Sequence, residues 1–263
     1  MGLTNEQIAS VKARGFLINR GTECFSGRVV SIGGAFGAGA LRALATCAER
    51  YGNGTVIFTS RLCAEIVGIP YDRIEEAEQY LLENGLYFGG TGAKVRPVTA
   101  CKGTTCIFGN VDTHAIAKEI HERFYIGMAD VKLPHKFKIG VGGCPNSCMK
   151  PNLNDVGIEG WRTVMPDGEK RRVCRVFVGG TWGKTRRMGT QLQALYLPEQ
   201  VGDVVEQVLL WYRENGYVKE RLGATLERLG VEALEAALAS GDLLRRKDDI
   251  LKAPLKEKLQ KEQ

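Results

Sequence analysis

The stretch LPHKFKIGVGGCPNSCMK, residues 133–150, decides how the chain is read. Its first half has the alternation of a β-strand. Lys136 and Lys138 fall on one face and Phe137 on the other, so both ammonium groups point the same way. Two such lysines in isolation would be an ordinary solvated strand edge. The residues after them change that reading, because a glycine-rich turn leads at once into Cys144 and Cys148. A second pair, Cys101 and Cys106, stands upstream in ACKGTTC. Four thiols in two clusters on turns are a candidate ligand set, and two lysines on one strand face are a candidate anion site.

Working outward, the chain alternates strands and helices. Residues 1–20 read as a short helical lead, from Asn5 to Arg14, followed by a link. From residue 21 to 90 the order expected is βαββαβ. It has a strand at residues 28–32, a helix from Ala38 to Tyr51, strands at 55–60 and 63–68, a helix from Tyr71 to Glu83, and a last short strand at 86–88. That order is a ferredoxin-like split βαβ unit. Gly89-Gly90-Thr91-Gly92 is the natural boundary. Residues 91–240 form a second, α/β domain. It has strands at 94–98 and 136–141 leading into the two cysteine pairs, a helix from Asp112 to Tyr125, and a hairpin turning at Pro166-Asp167-Gly168. A long helix over 199–215 and two short ones near 225–229 and 232–239 complete it. The tail, residues 241–263, is mostly charged and is expected to fray. The fold class is thus α+β.

Bulk properties exclude several function classes. The 263 residues are 44% hydrophobic and 25% charged, ordinary values for a globular protein. No stretch approaches the ~20 apolar residues of a membrane span. The N-terminus lacks the apolar core of a secretory signal, which places the protein in the cytoplasm. There, eight cysteines point to metal or redox chemistry rather than disulfides. The formal net charge of +6 allows nucleic acid as a partner, but the bases are dispersed and no aromatic-lined basic module accompanies them. A bound polyanion is the competing explanation.

The cysteine gaps, four residues in the first pair and three in the second, are wider than the two-residue knuckle usual for structural zinc. A cubane iron–sulfur cluster tolerates them. Zinc, or thiols that never meet, remain the alternatives on spacing alone. Cys24, Cys47, Cys63 and Cys174 fall one per segment and read as buried, inert thiols. The glycines of Gly34-x-x-Gly37-x-Gly39 lack the acidic partner of a dinucleotide loop and read as a tight turn. Trp182 is expected either against a bound ring or in the core.

The combination C-x4-C, LPHKFK, GCPNSC and VGIEG resembles the sirohaem- and [4Fe–4S]-containing sulfite and nitrite reductases, and YGNGTVIFTSR resembles their ferredoxin-like half-domain. The resemblance runs from about Gly27 to Gly230. It implies a second domain that binds sirohaem and a [4Fe–4S] cluster, with Cys101, Cys106, Cys144 and Cys148 holding the cluster and Cys148 bridging to the sirohaem iron. It matches Lys136 and Lys138 to lysines that hold the anion over the iron, and Arg96 and Arg28 to arginines of the same cavity. Arg61 matches an arginine that binds macrocycle carboxylates. Asn146, Gly179, Gly180, Lys184, Arg186 and Arg187 match positions near the cofactor. The first cysteine gap is one residue shorter than the commoner form, and His135 stands where an arginine is frequent.

The resemblance implies a six-electron reductase. Lysines donate protons to the departing oxygens as general acids, and arginines anchor charge. Sulfite is the expected substrate and nitrite the alternative, and a non-catalytic [4Fe–4S] carrier is the rival from another class. No flavin or nicotinamide motif is present, so electrons are expected from a ferredoxin-like or flavoprotein donor. The familiar enzymes carry two such halves, with lysines and cysteines from different halves serving one site, whereas this chain carries one. The expectation is a homodimer whose sites take cysteines from one subunit and lysines from the other.

Overall fold

The computed structural model describes residues 2–164 and 168–258. Two compact units divide the chain, Met1–Gly92 and Ala93–Gln263. Pro166 and Asp167 of the expected hairpin turn lie outside the described residues, as does the end of the tail.

The first unit opens with helix α1 (Asn5–Arg14), whose start is set by Thr4. The Thr4 hydroxyl accepts from the Gln7 amide, and the Gln7 side chain accepts from the Thr4 amide. Strands β1 (Phe16–Ile18), β2 (Cys24–Val29), β3 (Val56–Phe58) and β4 (Ala64–Pro70) form an antiparallel sheet in the order β1-β2-β4-β3. Helices α2 (Ala38–Tyr51) and α3 (Ile74–Glu83) supply Leu44, Cys47, Ala77 and Leu81 to one core with Phe16, Phe25 and Ile66. Two expectations are corrected. The N-terminal link contains β1, which the sequence reading passed over because three residues cannot show an alternation. The expected strand at 86–88 is reduced to a single bridge between Phe88 and Val29. The chain is held there by packing, since any side chain on Gly27 would strike Phe88 and Phe16.

The second unit is built on a five-stranded sheet in the order β5-β6-β7-β8-β9, comprising β5 (Thr99–Ala100), β6 (Ile139–Gly142), β7 (Val156–Val164), β8 (Lys170–Val178) and β9 (Thr190–Tyr196). β5, β6 and β7 run parallel, and β7-β8-β9 run antiparallel. β9 was not foreseen. Its sequence, TQLQALY, alternates only weakly, and exposed residues fill most of it. Helix α4 (Thr113–Ile120) is capped by Asp112, whose carboxylate accepts from the Ala115 amide at 2.9 Å. It continues as a π-helical turn, His121–Ile126, rather than as the single α-helix expected. Helix α5 (Val201–Asn215) is buried over most of its length and shares the core with α4, Phe137, Ile139 and Val141.

The C-terminal expectation is also corrected. After α6 (Leu222–Leu229) and α7 (Val231–Ser240) the chain forms α8 (Asp242–Arg245) and α9 (Lys247–Lys252) instead of fraying. Leu243 and Ile250 are buried in the core, and Arg246 pairs with Glu214 and Asp242. Two apolar residues among many charges were enough to dock the segment. No helix of the described residues is long and apolar enough to cross a membrane.

One face of β6 carries almost no side chains. Ile139 and Val141 point into the core, so Gly140 and Gly142 occupy the opposite face. The crossover from β6 to β7, residues 143–155, lies directly on that face. A methyl group on Gly140 would meet the Asn154 amide, one on Gly142 would meet the Pro151 ring, and one on Gly157 would lie 2.2 Å from the Pro151 carbonyl oxygen. The glycines of IGVGG and VGIEG are thus the space into which the crossover packs.

Candidate functional site

Both cysteine pairs sit at the same end of the sheet because their strands run parallel. β5 ends at Ala100 and β6 at Gly142, in a register that pairs Ala100 with Val141. Cys101 comes directly after, its amide donating to the Val141 carbonyl at 3.0 Å. The Cys101–Cys106 loop then presses on the start of the second loop. The Asn110 amide donates to the Gly143 carbonyl at 2.8 Å, and the Gly143 N–H donates to the Cys101 sulfur at 3.1 Å. The Thr113 hydroxyl at the start of α4 donates to the Cys101 carbonyl at 2.7 Å. In the second loop Ser147 and Lys150 adopt left-handed φ angles of 53° and 48°, uncommon for residues other than glycine. Cys101, Cys106 and Cys144 are half-buried, Cys148 and Asn146 are exposed, and all four cysteines are free thiols.

Among the described residues no three Cys, His, Asp or Glu side chains stand close enough to hold a metal ion. The backbone therefore joins the two loops without closing the ligand set. The donor chemistry nonetheless fits a thiolate-bound cluster. An N–H aimed at a cysteine sulfur, as Gly143 is at Cys101, is the contact that stabilises a thiolate and tunes an iron–sulfur centre. Cys47 and Cys174 behave differently: both are fully buried, and burial pushes their thiols up to about 12. Cys63 is buried and shifted in the same direction, whereas Cys24, expected buried, is half-exposed at the start of β2.

The lysines lie at the other end of β6. Strand pairing proper begins only at Ile139, so Lys136 and Lys138 precede the strand instead of lying within it. Their alternation still holds: both are half-buried while Phe137 between them is fully buried and stacked on Tyr212. Arg96 lies alongside, its amide donating to the Phe137 carbonyl at 2.8 Å and its neighbour Val95 bridging to Phe137. Burial pushes the Lys136 ammonium below its ordinary range. The charges of Arg221 and Arg96 push it further, and Asp155 opposes them. His135 is lowered by burial and by the charges of Arg221, Lys136 and Arg96. It is thereby kept neutral, as its Nδ1 must be to accept the Lys136 amide at 2.7 Å.

Two residues here were not found by sequence reasoning. Asp155 is fully buried and Arg221 largely so, and they form a two-pronged ion pair at 2.7 and 3.1 Å. Asp155 also accepts the Lys138 amide at 2.8 Å. Arg221 is 66 residues from Asp155, and only its place in the charged run KERLG marked it. Gly179 and Gly180 come after β8 at this same end. The Gly179 amide donates to the Asp155 carbonyl at 2.8 Å, and a side chain on Gly180 would collide with the Asn152 and Asn154 carbonyls. The loop beyond them is exposed. It contains Lys184, and Arg186 lies over the Trp182 ring at 5.7 Å. Trp182 is 61% exposed and so is not a core residue. Arg187 leaves the expected basic run to pair with Glu227.

In the first unit, Arg28 on β2 is engaged twice. Its guanidinium pairs with Glu65 at 2.7 Å and donates to the Gly90 carbonyl at 3.1 Å. Arg61 is half-buried on the β3–β4 turn. There Leu62 adopts a left-handed φ of 58° and its carbonyl accepts the Ser31 hydroxyl at 2.6 Å.

Two family models match the chain. Residues 91–243 match the nitrite and sulphite reductase 4Fe–4S domain, and residues 19–84 match the nitrite/sulfite reductase ferredoxin-like half domain. The assimilatory-type sulfite reductase of Nitratidesulfovibrio vulgaris is 28% identical, over 75% of this chain and 84% of that one. The coenzyme F420-dependent sulfite reductase of Methanocaldococcus jannaschii is 34% identical over 54% of this chain, which spans only 22% of that protein. The NirA protein of Mycobacterium tuberculosis has the same fold, with a TM-score of 0.77 at 21% identity over 97% of this chain and 48% of that one. The matches imply sirohaem and a [4Fe–4S] cluster as cofactors, and the paired thiol loops and the cations around Lys136 suit both. The chain is an oxidoreductase that belongs to the nitrite and sulphite reductase family.

Proposed function

We propose that the protein is a cytoplasmic sulfite reductase that delivers six electrons to a small oxyanion. One observation carries the reading. Two thiol loops abut at one end of β6, with the Gly143 N–H aimed at the Cys101 sulfur, while lysines and arginines crowd the other end. Sirohaem and the cluster, when bound, would relay the electrons that a donor supplies. Cys101, Cys106, Cys144 and Cys148 would hold the cluster. Arg61, the Gly179-Gly180 turn, Lys184 and Arg186 are suited to macrocycle carboxylates, which arginine binds as a fork. Lys136 and Lys138 donate protons to the oxygens that leave as water. Arg96 anchors the anion without giving up a proton. Arg28, which pairs with Glu65, is a further candidate anchor.

The position of the two ends favours a shared site. β6 places about 13 Å of strand between Lys138 and Cys144, and the crossover covers the glycine face between them. A lysine reaches a substrate through a hydrogen bond of only ~3 Å. The reading is therefore a two-fold dimer in which the cysteines of one subunit and the lysines of the other serve each site. Electrons come from a ferredoxin-like donor.

The test is an anaerobic preparation with its visible spectrum and turnover. A Soret band with a red band, and sulfide formed from sulfite with reduced viologen, support the reading. A broad shoulder alone, or a colourless protein, overturns it. Faster turnover of nitrite makes nitrite the substrate. For the dimer, Cys148→Ser and Lys138→Met chains are mixed. One intact site in the mixed dimer should restore part of the activity that neither variant has alone.

A further inference from the structure

We propose that Arg221 is a further cation of the oxyanion pocket and that Asp155 is its positioning residue, one buried carboxylate fixing both Arg221 and the Lys138 backbone. The inference rests on the oxyanion-reductase reading of the same pocket. Its starting point is a backbone observation. The segment before α6 makes a turn in which Lys219 adopts a left-handed φ of 71°. A lysine held there needs surrounding contacts to keep it. The Lys219 amide donates to the Pro134 carbonyl at 2.9 Å, so the turn is stitched to the start of the lysine segment. Glu220 braces it from within, accepting the Tyr217 amide at 2.9 Å, the Thr225 hydroxyl at 3.0 Å and the Arg228 guanidinium. The Tyr212 hydroxyl donates to the Glu220 carbonyl at 2.6 Å while its ring stacks on Phe137.

These contacts deliver Arg221 beside Lys136 and His135, whose titrations its charge pushes down in addition to burial. Its fork closes on Asp155, and Asp155 in turn holds the Lys138 amide. A buried pair that served stability alone could be replaced by apolar groups. This pair instead stands near two further cations: Lys138, whose amide Asp155 holds, and Lys136, on whose ammonium both members of the pair act. Arg221 presents the guanidinium donors that Asp155 leaves unused, and Asp155 holds that planar head beside the lysine segment.

The test uses the full chain. Asp155→Asn with Arg221→Met removes the pair without stranding a buried charge, and Arg221→Lys keeps the charge but loses the fork. Two quantities are read. One is KM against kcat for sulfite in the loaded enzyme. The other is the titration of Lys136, tracked by NMR of isotope-labelled lysines in protein with and without cofactors and assigned with Lys136→Met. The double variant should raise KM about tenfold while kcat changes less, the cost of one lost charged contact. It should also move the Lys136 titration to higher pH, because the repulsion of Arg221 that is lost outweighs the attraction of Asp155 lost with it. Arg221→Lys should restore the titration and only part of the KM. If KM and the Lys136 titration stay at parental values while only the melting temperature falls, the pair is structural and the inference fails. If the double variant does not fold, an Arg221→Lys protein with parental KM likewise overturns it. A parent that holds no macrocycle refutes the reductase reading, and the titration without cofactors then still decides whether Arg221 acts on Lys136.

Discussion

The two ends of β6 are built on opposite plans. The cysteine end is made by backbone. Parallel strands finish level, glycines admit the crossover, and backbone amides, helped by the Thr113 hydroxyl and the Cys101 sulfur, hold the thiol loops together. The lysine end is made by side chains from distant parts of the chain, with Arg221 closing on the buried carboxylate of Asp155 and both Arg221 and Arg96 acting on Lys136. The contrast suits the tasks expected of each end. A cluster needs thiols at fixed positions with little charge around them. A substrate that changes from oxyanion to hydride needs cations whose protonation can vary. Rigidity at one end and tunable charge at the other come from the same four-residue strand.

The contrast can be broken in several ways. The largest effect belongs to the cysteine end. Cys144→Ser should abolish the iron–sulfur contribution to the visible spectrum and all turnover, read by iron content and absorbance. A variant that keeps its iron would remove Cys144 from the ligand set. Next, Lys138→Met should leave both chromophores in place and lower kcat by roughly 100-fold, the usual worth of a positioned general acid. Loss of the chromophore in that variant would mean that the two ends are not separate in function. Arg221→Met alone strands Asp155 as a buried charge and should cost about 3–5 kcal/mol in denaturant unfolding. Gly157→Ala, which drives a methyl group against the Pro151 carbonyl, should cost about 1–3 kcal/mol. It should loosen the crossover that separates the two ends. The smallest effect is on pH dependence. Lys136 is active as an ammonium, and burial with the charges of Arg221 and Arg96 sets its titration below the ordinary lysine range. Turnover should therefore hold at lower pH and fall as pH rises through that depressed value. Lys136→Arg, which does not titrate there, should lose this alkaline limb.

Much of the cysteine end was legible beforehand because its information is local. GCPNSC and ACKGTTC announce thiol-bearing turns within a few residues, and the glycines before Cys144 announce a tight turn. The alternation of Lys136, Phe137 and Lys138 was equally plain, although regular pairing starts only after them. Arg28 shows the opposite case. Its place on a strand was foreseen, but its partner Glu65 is 37 residues away and takes up the charge. Short strands were missed where three or four residues carry too little pattern, as at β1. The tail was misjudged because Leu243 and Ile250 are diluted among charges, yet each finds a core to enter.

Sequence by itself determined the two-part α+β organisation, the thiol quartet and the paired lysines, since each is written in the spacing of neighbouring residues. Tertiary structure alone decided that the two cysteine loops abut at one end of the sheet, and that Asp155 and Arg221 stand among the lysines. The reason is that parallel pairing and buried ion pairs join residues tens of positions apart. Their energy depends on burial and distance, which no local pattern encodes.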